Sequence, residues 1–232
     1  MKIAIVTALC GNRETLNNPS VIHENVDYHA FVDHDFVTPT IWKKHQIFHF
    51  ANDGRFSNRR NAKIYKVMPQ LFLPGYDFYF WVDVSHDVVA NPFKVCEEYL
   101  SGDNDIALFK HNQRNCIYDE AKLLKELNYD HHDNIDRQIN YYADRGYPVQ
   151  NGLYELPVSI RKNTHRVNLL NIKWWEHICR FSSRDQLSMP FCLWECGITP
   201  VILPGYANGR KADGTLGANE IMPQTRNHVG SG

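Results

Sequence analysis

The sequence predicts an α/β protein, a layered sandwich around a mainly parallel sheet. Two observations carry this: short apolar runs alternate with segments of helical periodicity, and several of those runs end in carboxylates. Unpaired carboxylates are costly inside a buried strand, but they suit the carboxyl ends of strands, where open α/β sheets keep their ligand crevice. At 232 residues, with no repeat, low-complexity tract or linker, the chain reads as one domain able to bury a real core.

Lys2 to Leu9 reads as a buried first strand that breaks at Gly11-Asn12. Asp27 to Asp33 alternates as a second, ending at Asp33 and Asp35, and Trp42 to Phe50 forms a third. Ser57 to Leu71 has helical spacing, with Ser57 or Asn58 as N-cap and Pro74-Gly75 as its stop. The run Tyr79-Phe80-Trp81-Val82-Asp83 is the next strand. Asn91 to Leu100 is a short helix with Pro92 in its first turn. Asp105 to Lys110 is a strand, Tyr118 to Leu127 and Ile135 to Arg145 are helices, and Leu156 to Arg161 is a short extended segment. Val167 to Phe181 is a strong helix, Asp185 to Cys196 another interrupted at Pro190, and Val201 to Leu203 a last strand. From Pro204 onward the chain is glycine-bearing and aperiodic, which predicts a long mobile loop.

A formal net charge of -1 leaves no global basic field, so nucleic acid is not an expected partner. Six cysteines without a CxxC pair read as reduced thiols, and Cys192 and Cys196 fit no usual zinc pattern. The apolar start is too short for a signal peptide or membrane span, so a cytoplasmic location is expected. Neither GxGxxG nor GxxxxGK[ST] occurs, so phosphate binding would have to come from a metal and basic side chains.

Four clusters carry candidate chemistry. Asp83 and Ser85 are two apart, and on an extended chain they share a face that would hold Mn²⁺ or Mg²⁺ against a diphosphate, with His86 beside them and Asp87 as the fallback ligand; the alternative is a core strand followed by a polar turn. Arg55, Arg59, Arg60 and Lys63 surround the start of a helix, a natural anion site or else a solvated basic face. Ser182 to Gln186 either caps the next helix or places Asp185 as a proton acceptor. The tail offers Arg210, Lys211 and His228, a lid over a charged ligand or a frayed terminus. A weaker group holds His111, Arg114, Tyr118, Glu155, Arg161 and His165, while Trp174 and Trp175 read mainly as core.

In order, the segments Ser57-Asn58-Arg59-Arg60-Asn61-Ala62-Lys63, Trp81-Val82-Asp83, Arg114 to Ala121, Gly146-Tyr147-Pro148, Gly152-Leu153-Tyr154-Glu155 and Arg184 to Ser188 resemble one family. It is the glycosyltransferase-like domain of the plant turgor-regulation and mucilage-related proteins, and the resemblance runs from about Val26 to Gly197. It implies a GT-A-type nucleotide-binding sandwich, a nucleotide-sugar donor (UDP by family habit), a glycan acceptor and Mn²⁺. Residues 1–110 would form the nucleotide half, 111–203 the acceptor half and 204–232 the loop. Asp83 and Ser85 would stand where such enzymes carry Asp-x-Asp, with Ser85 replacing the second acid, and His228 would complete the metal shell. Thr7, Ala8 and Asp33 would lie near the nucleotide, Arg60 and Lys63 near diphosphate or base, and Asp185, Glu155, Arg114 and Gln186 near sugar or acceptor. A sugar-nucleotide nucleotidyltransferase and a non-catalytic carbohydrate-binding protein are the competing readings.

Overall fold

The computed structural model describes residues 1–11, 15–34, 41–52, 54–209 and 221–224. Its centre is a seven-stranded sheet of order β3-β2-β1-β4-β6-β5-β7. The strands are β1 (Ile3–Leu9), β2 (Val26–Val32), β3 (Lys43–Gln46), β4 (Phe78–Val82), β5 (Ile106–Lys110), β6 (Tyr154–Lys162) and β7 (Val201–Ile202). The helices are α1 (Ser57–Val67), α2 (Pro69–Phe72), α3 (Pro92–Tyr99), α4 (Ile117–Glu126), α5 (His132–Asp144), α6 (His165–Arg180) and α7 (Asp185–Glu195).

The sheet is mainly parallel, as expected; only β6 runs against its neighbours β4 and β5. Side chains alternate along each strand, so the two faces build separate cores. Ile3, Ile5, Phe80, Val82 and Ile160 pack on one face with Val95 and Cys96 of α3. Ala4, Val6, Tyr79 and Trp81 pack on the other, with Tyr65 of α1 and Phe31 of β2. Helices α4 to α7 close over Ile106, Leu108 and Leu156 in a third cluster, where Phe191 stacks on Tyr142 at 4.0 Å.

Two features place the crevice. From β1 the chain adds β2 and β3 on one side, then returns to lay β4 on the other. The carboxyl ends of β1 and β4 therefore flank a topological switch point. In addition, the β5–β6 register jumps from Leu108↔Ser159 to Phe109↔Glu155, so β6 bulges over residues 156–158. The bulge turns Glu155 to Pro157 toward the end of β4, where Asp83 N donates to Pro157 O at 2.8 Å.

Several expectations are corrected. The helix read as Ser57 to Leu71 is two, because Pro69 cannot continue α1 and the Arg161 guanidinium binds the carbonyls of Lys66 and Val67. Neither Ser57 nor Asn58 caps α1; Phe56 holds that position without a side-chain bond. The third strand is only Lys43–Gln46, and β6 is longer than expected. Helix α7 runs unbroken through Pro190, since burial of Leu187, Phe191 and Cys192 outweighs the missing N–H. The stretch after Pro204 is not uniformly loose: Ala207, Ile221 and Met222 are core residues.

Helix α6 is fixed at its start by Thr164, whose Oγ1 accepts from Val167 N at 3.2 Å. Thr164→Ala is expected to lower unfolding free energy by about 1 kcal/mol and Thr164→Ser to be nearly neutral. Urea melts check this, and equal losses for both variants would remove the cap from the account.

Candidate functional site

A cavity of about 370 Å³ opens at the switch point. Its floor is the end of β1 and β4, with Ala8, Cys10, Trp81 and the turn Asp83 to His86. One wall is a single face of α1, where Asn58, Arg59, Ala62, Lys63 and Lys66 recur at helical spacing. The opposite wall is the β6 bulge, Glu155 to Pro157, and the start of α7, Arg184 to Gln186. Asn208 and Gln224 from the C-terminal segment complete it.

Asp83 does not continue β4. Its carbonyl accepts from His86 N at 2.8 Å, so residues 83–86 make a tight turn, and the expected shared face of Asp83 and Ser85 on an extended chain is absent. Instead Trp81 Nε1 donates to Asp83 Oδ1 at 2.6 Å and fixes the carboxylate. Ser85 is buried with Oγ 3.0 Å from His86 Nδ1, and His86 Nε2 lies 3.0 Å from Ala207 O. Among the described residues no set of three His, Cys, Asp or Glu ligand atoms converges at Asp83. An Mn²⁺ or Mg²⁺ ion fits there only as a partner of one carboxylate, the Ser85 hydroxyl and the oxygens of a bound ligand.

Electrostatically the cavity is mixed. Arg59, Lys63, Lys66 and Arg184 face three carboxylates, Asp83, Glu155 and Asp185. Asp185 Oδ2 pairs with Lys66 Nζ at 2.5 Å and Oδ1 with Lys63 Nζ at 3.0 Å. Burial opposes ionisation of Asp185, but Lys63 and Lys66 override it and hold the carboxyl well below the usual range. Burial draws the Lys63 ammonium down to about 8. Glu155 behaves oppositely. Burial raises its carboxyl above the usual range, although Ala207 N donates to Oε2 at 2.9 Å.

The remaining sequence candidates scatter. Ala8 lines the cavity, whereas Thr7 lines a neighbouring one of about 240 Å³ on the other side of Asp83, with Asp87. Arg60 is turned away: its Nε and Nη2 bind Ile178 O and Phe181 O at 3.3 and 3.2 Å, ending α6. Its expected place at the diphosphate is corrected accordingly. Arg114 is held by Glu120 at 2.6 Å and does not line the cavity, while Gln186 does. Asp33 sits at the end of β2, accepting from Gly11 N at 2.7 Å. Ser182 and Ser183 do not cap α7; both hydroxyls donate to Asp130. Trp174 is core and Trp175 meets Phe50 edge-on, so neither enters the cavity. Arg210, Lys211 and His228 lie outside the described residues.

Sequence reasoning missed Lys66, whose signal was its place three residues after Lys63 on the same face. It also missed Cys10 as a cavity residue.

With this geometry in hand, the family model for the TOD1/MUCI70 glycosyltransferase-like domain matches residues 1–201. The chain belongs to that family. Among curated proteins, this TOD1/MUCI70 domain is 27% identical over 139 residues to the probable hexosyltransferase MUCI70 of Arabidopsis thaliana. The match covers 56% of the chain and 24% of that protein, about a quarter of its length. Among solved structures, the TOD1/MUCI70 domain is similar to apo mouse xyloside xylosyltransferase 1, with TM-score 0.53 over 96% of each chain at 9% identity. That likeness concerns the fold, which is GT-A-like. Among the described residues of this TOD1/MUCI70 domain, no helix is long and apolar enough to cross a membrane.

Proposed function

We propose that this chain transfers a sugar from a nucleotide-sugar donor, a UDP-sugar by preference, to a hydroxyl of a carbohydrate acceptor. The observation that carries the reading is the single cavity in which an oriented carboxylate, Asp83, faces the Arg59-Lys63-Lys66 stripe and Arg184. Leaving-group departure builds negative charge on a diphosphate, and preorganised cations in a dry site stabilise it best. Lys63 and Lys66 are held in place by Asp185, so they need little reorganisation as that charge develops. Asp83 and Ser85 are the residues that would hold Mn²⁺ or Mg²⁺, which when bound neutralises further charge on the diphosphate. Glu155, buried at the bulge and lining the cavity, would take the proton of an acceptor hydroxyl if the displacement is direct. Asp185 is not suited to that step, because its lysine partners make it a weak base.

Calorimetry with UDP and GDP, with and without Mn²⁺, tests the reading. UDP is expected to bind, and Mn²⁺ to tighten it at least about tenfold, or about 1.4 kcal/mol. Asp83→Asn should abolish the tightening. Failure to bind any nucleoside diphosphate would leave a carbohydrate-binding role instead.

Lys63 gives this binding a pH signature. A diphosphate requires the protonated ammonium, which persists below about 8 and is lost above it. UDP affinity should therefore begin to fall near pH 8, by up to about tenfold per pH unit. Lys63→Arg, which stays charged, should remove that break; its persistence would assign the titration elsewhere.

A further inference from the structure

Three parallel neighbours, β1, β2 and β3, end at one edge of the sheet in matched register. The residues just past them therefore meet in space. They are Cys10, one residue beyond β1; Asp33, one beyond β2; and His49, three beyond β3. One Cys sulfur, one carboxylate oxygen and one imidazole nitrogen lie within 4.8 Å of one another. We propose that Cys10, Asp33 and His49 form a second metal site, at the rim of the cavity, for a borderline-soft dication of the Zn²⁺ type.

The spacing suits a tetrahedral ion. Ligand bonds of about 2.0–2.3 Å place neighbouring donors roughly 3.3–3.7 Å apart. Asp33 Oδ2 and His49 Nε2 are already 3.5 Å apart, and one donor atom of each of the three residues lies within 4.8 Å of the others, so closing around an ion calls for shifts on the order of 1 Å. Outer contacts hold the carboxylate: Gly11 N donates to Oδ2 at 2.7 Å and His34 Nδ1 lies 2.5 Å from Oδ1. Gly11 has φ +87°, and a Cβ there would come within 2.8 Å of Asn58 Nδ2, so glycine suits the approach of Cys10 to Asp33. Asn58 Oδ1 is 3.5 Å from Cys10 Sγ. Binding through His49 Nε2 puts the ring proton on Nδ1 and gives up the 3.3 Å contact with Asn61 Nδ2. That contact is long, and the His49 side chain is half exposed and able to turn.

The chemistry differs from that at Asp83. A thiolate and an imidazole select Zn²⁺ or Co²⁺ over Mg²⁺ and Mn²⁺, whereas a lone carboxylate with phosphate oxygens has the opposite preference. Binding releases the Cys10 proton to buffer and leaves all oxidation states unchanged. With three protein ligands, a fourth position stays open for water or for a ligand in the cavity that Cys10 lines. An ion here ties together the ends of three strands. The inference is independent of sugar transfer, since metal binding is read without donor or acceptor.

The test is titration of the intact, reduced chain with Co²⁺, followed by absorption. One equivalent should give intense tetrahedral bands in the visible and a thiolate-to-cobalt charge-transfer band in the near ultraviolet. Zn²⁺ should displace the Co²⁺, and excess Mg²⁺ should not. Cys10→Ser should abolish the charge-transfer band, His49→Ala should weaken Zn²⁺ binding tenfold or more, and Asp83→Asn should leave both intact. Should Cys10→Ser fail to fold, Zn²⁺ protection of Cys10 from alkylation, mapped on the intact protein, reads the same contact. A weak six-coordinate spectrum, a charge-transfer band that survives Cys10→Ser, or unprotected alkylation of Cys10 would overturn the site.

Discussion

Asp185→Ala is expected to destabilise the chain by about 3–5 kcal/mol, because it strips one anion from two ammonium groups, that of Lys66 buried and that of Lys63 part-buried. The Lys66 side chain is 5% exposed and that of Lys63 15%, and both pair with this carboxylate. Neither lysine gains enough water on losing it to recover the lost interaction. Asp185→Asn, which keeps the shape but not the charge, should lose nearly as much. Replacing the charges together, Asp185→Leu with Lys66→Met, should recover a large part of the loss, since the desolvation of both ions is removed with their attraction. Urea denaturation with an unchanged m-value measures it. A loss below about 1 kcal/mol would mean that water screens the pair as it does surface ion pairs. The pH dependence has a definite sign. The folded-state carboxyl is depressed, so its contribution is complete above the unfolded value of about 3.9 and declines as pH falls below it.

This ion pair also shows how much of the site a sequence leaves hidden. The strand ending at Asp83 was legible, because an apolar, β-branched and aromatic run that stops at a carboxylate reads as a strand end at a crevice or as a core strand followed by a polar turn. The α/β layering was legible for the same reason, through the alternation of periodicities. The turn after Asp83 was not, because an Asp-Val-Ser turn and an Asp-Val-Ser strand have the same composition; the bond from His86 N to Asp83 O decides between them. Arg60 and Lys63 looked equivalent at the start of a basic helix. Packing against α6 separates them, turning Arg60 onto Ile178 O and Phe181 O and Lys63 into the cavity. Asp185 and Lys66 lie 119 residues apart, and no local pattern records that they touch. Reading Asp185 as a base required knowing its neighbours, which belong to the fold. Pro69 was a visible stop, but the apolar period continuing to Leu71 masked it.

Glu155 and Asp185 line one cavity and differ in environment, and that difference predicts the largest effect on turnover. Glu155→Gln is expected to lower the rate of UDP release from a UDP-sugar donor, in the presence of acceptor, by about 10²–10⁴-fold. UDP affinity should stay within about threefold, because the cations proposed to receive the diphosphate lie on α1 and beside α7 and not on the bulge. A base must be unprotonated in the resting enzyme and accept a proton as the bond forms, which favours a carboxyl raised toward the working pH. Burial raises Glu155, while two lysines depress Asp185. The wild-type rate should therefore rise with pH through a value above the ordinary glutamate range of about 4.3, and that limb should vanish in Glu155→Gln. Lys63→Ala should make the contrast, raising the UDP dissociation constant as well as slowing turnover, because it removes a proposed diphosphate partner. A Glu155→Gln variant within tenfold of wild type, with its acid limb intact, would exclude Glu155 as the base. Donor cleavage would then have to proceed without a carboxylate taking the acceptor proton, as when the leaving diphosphate itself receives it.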